Sequence, residues 1–207
     1  MYVPASFAET DLTVLHDFIE QHSFATLVTH RDDEPYASHL PVLLDRSQGK
    51  FGQLIGHFAK ANPQSETASL QKVLTIFHGP HAYISPTWYE APNTVPTWNY
   101  QAVHVYGRYS VIDDPGELKA VIERYVRFYE AAEPAPWTMQ NADPGFIDQL
   151  LPAIVGFTIE IERIEGKFKL SQNHPVERRE KVIHALKRHP RDDAQAIATL
   201  MQAQLPG

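Results

Sequence analysis

The sequence predicts a mostly β protein with inserted helices (α+β), built on an antiparallel barrel that is closed or nearly closed. Three observations predict it. Six or seven short β-rich runs are separated by polar turns. Helical stretches interrupt those runs without the strand–helix alternation of a doubly wound sheet. No GxGxxG follows a strand, and neither a Walker sequence nor G-x-S-x-G is present. Dinucleotide-fold dehydrogenases, P-loop enzymes and α/β-hydrolases are set aside on those grounds.

Residues 11–22 read as an amphipathic helix, with Asp11 as its cap and Leu12, Leu15, Phe18 and Ile19 on one face. The period then changes to β in residues 24–30, 36–44 and 51–58. Asn62-Pro63 is a helix-start signal, which predicts a helix over 62–71. Residues 73–77 and 82–85 read as two strands, and Pro80, Pro86, Pro92 and Pro96 punctuate the sequence around and after them. Residues 97–112 read as one long strand with a bend at Gly107. Asp114-Pro115 opens a helix whose apolar stripe is Leu118, Val121, Ile122, Tyr125 and Tyr129. Asp143 caps a short helix over 143–151. In 154–164, Phe157, Ile159 and Ile161 alternate with Thr158, Glu160 and Glu162, a half-buried strand. Two helices near 176–188 and 192–204 end the sequence, so a barrel over 1–173 is expected to carry a helical appendage over 174–207.

Composition bounds the function. At 207 residues the chain is one domain with that appendage. It has no cysteine, which excludes a thiolate nucleophile, a disulfide framework, an iron–sulfur cluster and a Cys-based zinc site. A formal net charge of −7 argues against a uniformly basic nucleic-acid binder. The first residues have neither the basic nor the apolar segment of a secretory signal, and a cytoplasmic protein is expected. Among the 11 histidines none shows HExxH spacing, and His78 and His81 are separated by Gly-Pro, so no metal or haem is assigned.

Three segments have the residue types for ligand chemistry. In Gly56-His57-Phe58-Ala59-Lys60-Ala61-Asn62-Pro63 a strand ends where a helix starts. A helix start offers free N–H groups to a phosphate, with His57 and Lys60 beside it; equally, it is a capped helix with a solvated lysine. Trp88, Tyr89, Trp98 and Tyr100 form either a slot for a planar ring or packing and a dimer contact. Lys167 and Lys169 share one side of an extended chain ahead of Ser171, Gln172 and Asn173. That surface suits an anion or a carbonyl-rich heterocycle, or is a solvated strand end. A fourth segment is basic. Residues 175–191 hold Arg178, Arg179, Lys181, Lys187, Arg188 and Arg191 against Glu177 and Glu180. It is either a DNA-contacting patch or a helical hairpin docked on the barrel.

Taken together, several of these residues resemble the PaiB-like family of FMN-binding negative transcriptional regulators. The resemblance rests on Met1-Tyr2-Val3-Pro4 with Phe7, Ala37-Ser38-His39-Leu40-Pro41, and Gly56-His57 with Ala61-Asn62-Pro63. It continues through Gly79-Pro80, Tyr83-Ile84-Ser85-Pro86, Trp88-Tyr89, Val95 to Tyr100 and Val103-His104. Ile154-Val155-Gly156-Phe157 and Gly166 to Asn173 complete it. The family implies a flavin-binding split barrel, a homodimer with FMN in a groove between subunits, and gene repression. The cofactor candidates are then Ser38, His39, His57, Lys60 and Asn62, with Trp98, Asn99 and Tyr100, and with Lys167, Lys169, Ser171, Gln172 and Asn173. DNA candidates are Arg178, Arg179, Lys181, Lys187 and Arg188. Gln64-Ser65 stands where an aromatic residue is expected after Asn-Pro, a departure expected to loosen that turn. The alternatives are an FMN-dependent oxidoreductase without direct DNA binding and a flavin module without turnover.

Overall fold

The computed structural model describes residues 1–67 and 70–206. Its strands are β1 (Ala8–Glu9), β2 (Phe24–Arg31), β3 (Glu34–Pro41), β4 (Leu43–Asp45), β5 (Gln53–Ala59), β6 (Lys72–Ile84), β7 (Thr97–Ile112) and β8 (Ile154–Lys169). Its helices are α1 (Leu12–Gln21), α2 (Pro115–Glu130), α3 (Phe146–Leu150), α4 (Val176–Lys187) and α5 (Asp192–Ala203). Two compact units are present: Met1–Phe18 with Phe77–His104 and Glu165–Gly207, and Ile19–Ile76 with Val105–Ile164. The long strands β6, β7 and β8 contribute residues to both.

The second unit contains the curl of the sheet. The strand order is β3-β2-β6-β7-β8-β5-β4, and β2 pairs antiparallel with β3 and β6, as β5 does with β4 and β8. The two ends of that path, β3 and β4, are neighbours in sequence with only Val42 between them. A sheet whose opposite edges are joined by one residue must curl until they meet. Val42 is 1% exposed and its N–H donates to the Ser23 carbonyl. The Tyr125 hydroxyl lies 2.8 Å from both the Pro41 and Ile55 carbonyls, binding the end of β3 to β5. Around it pack Leu43, Ile55, Ile112, Leu118 and Val121; of the expected α2 stripe Leu118, Val121 and Tyr125 are buried, whereas Tyr129 is 43% exposed. Between β2 and β3, Asp32 and Asp33 have φ of +50° and +61°, the left-handed pair that a two-residue hairpin needs. At Gly107 a Cβ would stand 2.2 Å from the Glu160 carbonyl oxygen, so the expected bend is a site where only glycine fits.

In the first unit β1 pairs with the end of β8, Ala8 opposite Lys167 and Glu9 opposite Gly166. Asp11 caps α1 through its carboxylate, which accepts from Thr13 N–H at 2.8 Å and Val14 N–H at 3.2 Å. The C-terminal helices pack on each other, and the Arg179 guanidinium donates to the Gln204 carbonyl at 3.0 Å.

Four sequence expectations need correction. The 62–71 helix is a four-residue 3-10 turn, Pro63–Glu66, and Ala68 and Ser69 lie outside the described residues. The 36–44 run is two strands, broken at Val42 where the chain passes from one edge to the other. Residues 73–77 and 82–84 belong to one continuous strand, β6, which absorbs Gly79-Pro80, and Ser85 caps the turn that follows. Asp143 does not cap α3 with its side chain; Gly145, in the left-handed region at φ +79°, is the N-cap.

Candidate functional site

The structure sorts the cofactor candidates into two groups, one in each unit. In the second unit, Asn62 caps the 3-10 turn, its Oδ1 accepting from the Gln64 N–H at 2.9 Å. Its Nδ2 donates to the Ser38 hydroxyl at 2.9 Å. His39 is exposed, with Nδ1 3.0 Å from the Thr26 hydroxyl. A turn this short has no multi-turn dipole to offer a phosphate. His57 is half-buried and packs edge-on against Tyr125 at 5.1 Å. Burial pushes its pKa below the usual histidine value, so near neutral pH it is an uncharged imidazole. Its buried Nδ1 has no hydrogen-bond partner. Lys60 is exposed and lines a cavity of about 700 Å³, together with Ile112, Leu118, Leu151 and Ile154.

Gln64 was missed as an anchoring residue. The expected loosening does not occur, because Gln64 is 2% exposed and plugs into the barrel. Its Nε2 lies 3.1 Å from the Leu27 carbonyl, 3.0 Å from the Thr29 hydroxyl and 3.2 Å from the Tyr36 carbonyl. A polar side chain replaces the expected aromatic, its two N–H hydrogens shared among three acceptors, while its buried Oε1 has no partner among the described residues.

The first unit gathers the other group around the end of β8. The Lys167 side chain is held beneath the N-terminal residues. Its ammonium donates to the Tyr2 carbonyl at 3.1 Å and faces the rings of Tyr2 at 5.5 Å and Tyr100 at 5.4 Å. The Lys169 ammonium donates to the Thr97 hydroxyl at 2.5 Å and the Trp98 carbonyl at 2.6 Å, 5.7 Å from the Phe7 ring. Among the described residues neither lysine has a carboxylate partner. Burial, and then the neighbouring Lys167 charge, pull the Lys169 pKa below the usual lysine value. Two cations are thus held by carbonyl dipoles, one hydroxyl and ring faces. Tyr2 and Thr97 were not named as site residues, although both lie in motifs that carry the family resemblance.

Around this pair the remaining candidates divide. Trp98 is 47% exposed, edge-on to Tyr83 at 5.9 Å, and offers an aromatic surface. Asn99 and Ser171 are buried and bonded to each other, Asn99 Nδ2 donating to the Ser171 hydroxyl at 2.9 Å. The Gln172 carboxamide ties the strand end, Oε1 accepting from the Leu170 N–H at 2.7 Å and Nε2 donating to the Phe168 carbonyl. Asn173 is exposed.

The five DNA candidates are largely engaged within the chain. Arg179 is 7% exposed and bound to the Gln204 carbonyl. Lys181 pairs with Glu90 at 2.7 Å, and Lys187 donates to the Gln202 side chain at 3.3 Å. Arg178 is half-buried, and Arg188 stands exposed at the end of α4.

The donor set fits a flavin mononucleotide. A phosphate monoester carries up to two negative charges, which is what Lys167 and Lys169 lack, and the rings of Tyr2, Tyr100 and Phe7 face the two ammoniums. An antiparallel sheet curled on itself with such a strand end defines a protein of the split-barrel flavoprotein class. By comparison with known proteins, the chain belongs to the FMN-binding family whose model, described as "Putative FMN-binding domain", matches residues 1–163. It is 37% identical over 99% of its length to protease synthase and sporulation protein PAI 2 of Bacillus subtilis (strain 168), covering 98% of that protein. An uncharacterised protein of Aspergillus fumigatus is 32% identical, with 91% of each chain covered. Among solved structures, the flavocytochrome Anf3 from Azotobacter vinelandii aligns with a TM-score of 0.61 at 13% identity, over 79% of this chain and 69% of that one. The FAD and heme binding protein from Mycobacterium smegmatis aligns at 0.54 and 17% identity, over 78% and 73%. These two likenesses bear on the fold alone. The cofactor of the chain is FMN.

Proposed function

We propose that the chain is a homodimeric, cytoplasmic FMN-dependent oxidoreductase in which Lys167 and Lys169 neutralise the cofactor phosphate. The observation that carries this reading is the pair of partly buried ammoniums without a carboxylate. When bound, FMN supplies hydride and electron transfer. The chain's own residues bind and orient: the two lysines at the phosphate, Trp98 and Tyr100 against a planar ring, and Thr97 fixing the Lys169 ammonium. A second subunit is supported by apolar side chains left in water, Tyr83, Val95 and Trp98 being 44%, 73% and 47% exposed. The test is reconstitution with FMN followed by anaerobic addition of a nicotinamide cofactor. Bleaching of the bound flavin is expected, and a flavin that stays oxidised with every nicotinamide donor counts against the oxidoreductase. Sedimentation at micromolar concentration should give twice 23.5 kDa; the single mass would remove the dimer.

The second reading is the negative regulator, favoured by the 37% identity to a relative named for protease synthesis and sporulation. Among the described residues, Arg178 on α4 and Arg188 just past its end have no hydrogen-bond or ion-pair partner at their side chains. A gel shift with the upstream DNA of its own gene, lost on reversing both to Glu and falling steeply with salt, would establish it.

A further inference from the structure

We infer that Asn99 is a positioning residue that sets Lys169 for the cofactor phosphate and makes α5 a working part of the flavin site. Asn99 is 0% exposed, so it does not meet a ligand from solvent. Both ends of its carboxamide are in use. Nδ2 lies 2.9 Å from the Ser171 hydroxyl and 3.3 Å from the Met201 sulfur, and Oδ1 is 3.2 Å from the Ser171 hydroxyl. One side chain therefore joins β7, the turn after β8, and α5.

Those are the segments that flank Lys169. Asn99 follows Trp98, whose carbonyl accepts the Lys169 ammonium at 2.6 Å. Ser171 follows two residues after Lys169 and has φ +63°, a left-handed conformation that a serine holds only under constraint. The paired bond to Asn99 contributes to that constraint, beside the Gln172 carboxamide on Leu170 and Phe168 and the His174 N–H on the Ser171 carbonyl. It is the bond that joins the turn to β7, so removing it loosens the two segments that flank the ammonium relative to each other. Met201 is fully buried, so α5 cannot shift without moving the Asn99 amide. Asn99 and Ser171 accordingly act on the cofactor through Lys169, not by touching it.

This rests on the reading that Lys169 holds the phosphate, so the experiment separates the two. FMN and riboflavin affinities are measured by titration of the full-length apoprotein, for Asn99→Ala, Ser171→Gly, Lys169→Met and the doubles with Lys169→Met. Glycine keeps the left-handed turn available while deleting the hydroxyl, so Ser171→Gly carries the test if Asn99→Ala fails to fold. We expect each of the two to weaken FMN by roughly tenfold and riboflavin by less than about twofold. In the Lys169→Met background they should add less than about twofold. Equal losses for FMN and riboflavin, or losses that add fully to Lys169→Met, would overturn the positioning role. So would Lys169→Met weakening FMN while the other two variants leave it unchanged. If Lys169→Met itself leaves FMN binding intact, the phosphate reading fails, and the inference with it.

Discussion

Around Asn62 the two carboxamides donate to partners within the protein, although the buried His57 Nδ1 and Gln64 Oε1 have none among the described residues, whereas around Lys169 two charges are held without a counterion. Asn62 caps its turn and donates to Ser38, and the two N–H hydrogens of Gln64 are shared among three acceptors of the barrel. Lys167 and Lys169 meet carbonyls, a hydroxyl and ring faces. Sequence motifs alone do not distinguish these cases, because both have capping amides and lysines at strand ends. The difference lies in what a ligand would gain. A phosphate at Asn62 would have to break existing bonds, while one at Lys169 would supply a charge that is missing.

The largest expected effect breaks the second region. Replacing Lys167 and Lys169 together by Met should weaken FMN by about 100-fold or more, since each charged hydrogen bond contributes on the order of 1.5–3 kcal/mol. Thermal stability should change little, because relief of two neighbouring like charges opposes the loss of their bonds to the Tyr2 and Trp98 carbonyls and the Thr97 hydroxyl. Calorimetric titration and melting curves check both, and a loss of stability without a loss of affinity would reverse the comparison.

The opposite pattern is expected from Gln64→Leu. It strands the Leu27 and Tyr36 carbonyls and the Thr29 hydroxyl, at a cost of about 1–3 kcal/mol. Denaturant unfolding should show that loss, and FMN affinity of the folded protein should stay within about twofold.

A smaller, sharper contrast comes from pH. The Lys169 pKa is lowered by burial and by Lys167, so its charge is lost on raising pH before an ordinary lysine would lose it. FMN affinity should therefore fall on the alkaline side earlier than the lysine value of 10.5 implies, with riboflavin unaffected. In the other region His57 is depressed by burial from 6.5. Its folded form resists protonation while the unfolded chain binds the proton, so stability is lost as pH falls below 6.5. His57→Phe should flatten that acid limb slightly, as read by melting temperature between neutral and mildly acid pH.

How much of this was legible in the sequence depends on whether one strand or several decide an answer. The limits of β7 at 97–112 and the alternation of Phe157, Ile159 and Ile161 in β8 follow from local pattern, and both hold. Asn99 could have been read as buried, because alternation back from Val103 and Val105 puts it on the inward side. The helix after Asn62 could not have been refused locally. Its cap is real, but the segment turns early and seats Gln64 among β2 and β3. Gly79-Pro80 reads as punctuation, yet β6 continues through it; a Cβ at Gly79 would stand 2.8 Å from the Phe18 ring. The absence of a carboxylate beside Lys169 is a fact of three-dimensional neighbourhood, and spacing has no record of it.

The one-residue joint at Val42 has a consequence for how the protein is made. The hairpin of β4 and β5 emerges early, but the outer edge of β5 pairs with β8, with Gln53 opposite Glu160. That partner is synthesised about a hundred residues later. Until then the growing chain presents an open edge of backbone donors and acceptors, and ring closure waits on the last strand, β8. Synthesis therefore passes through a long, adhesive stage in which slow translation prolongs the risk of aggregation, and capture of that edge by a chaperone would shield it.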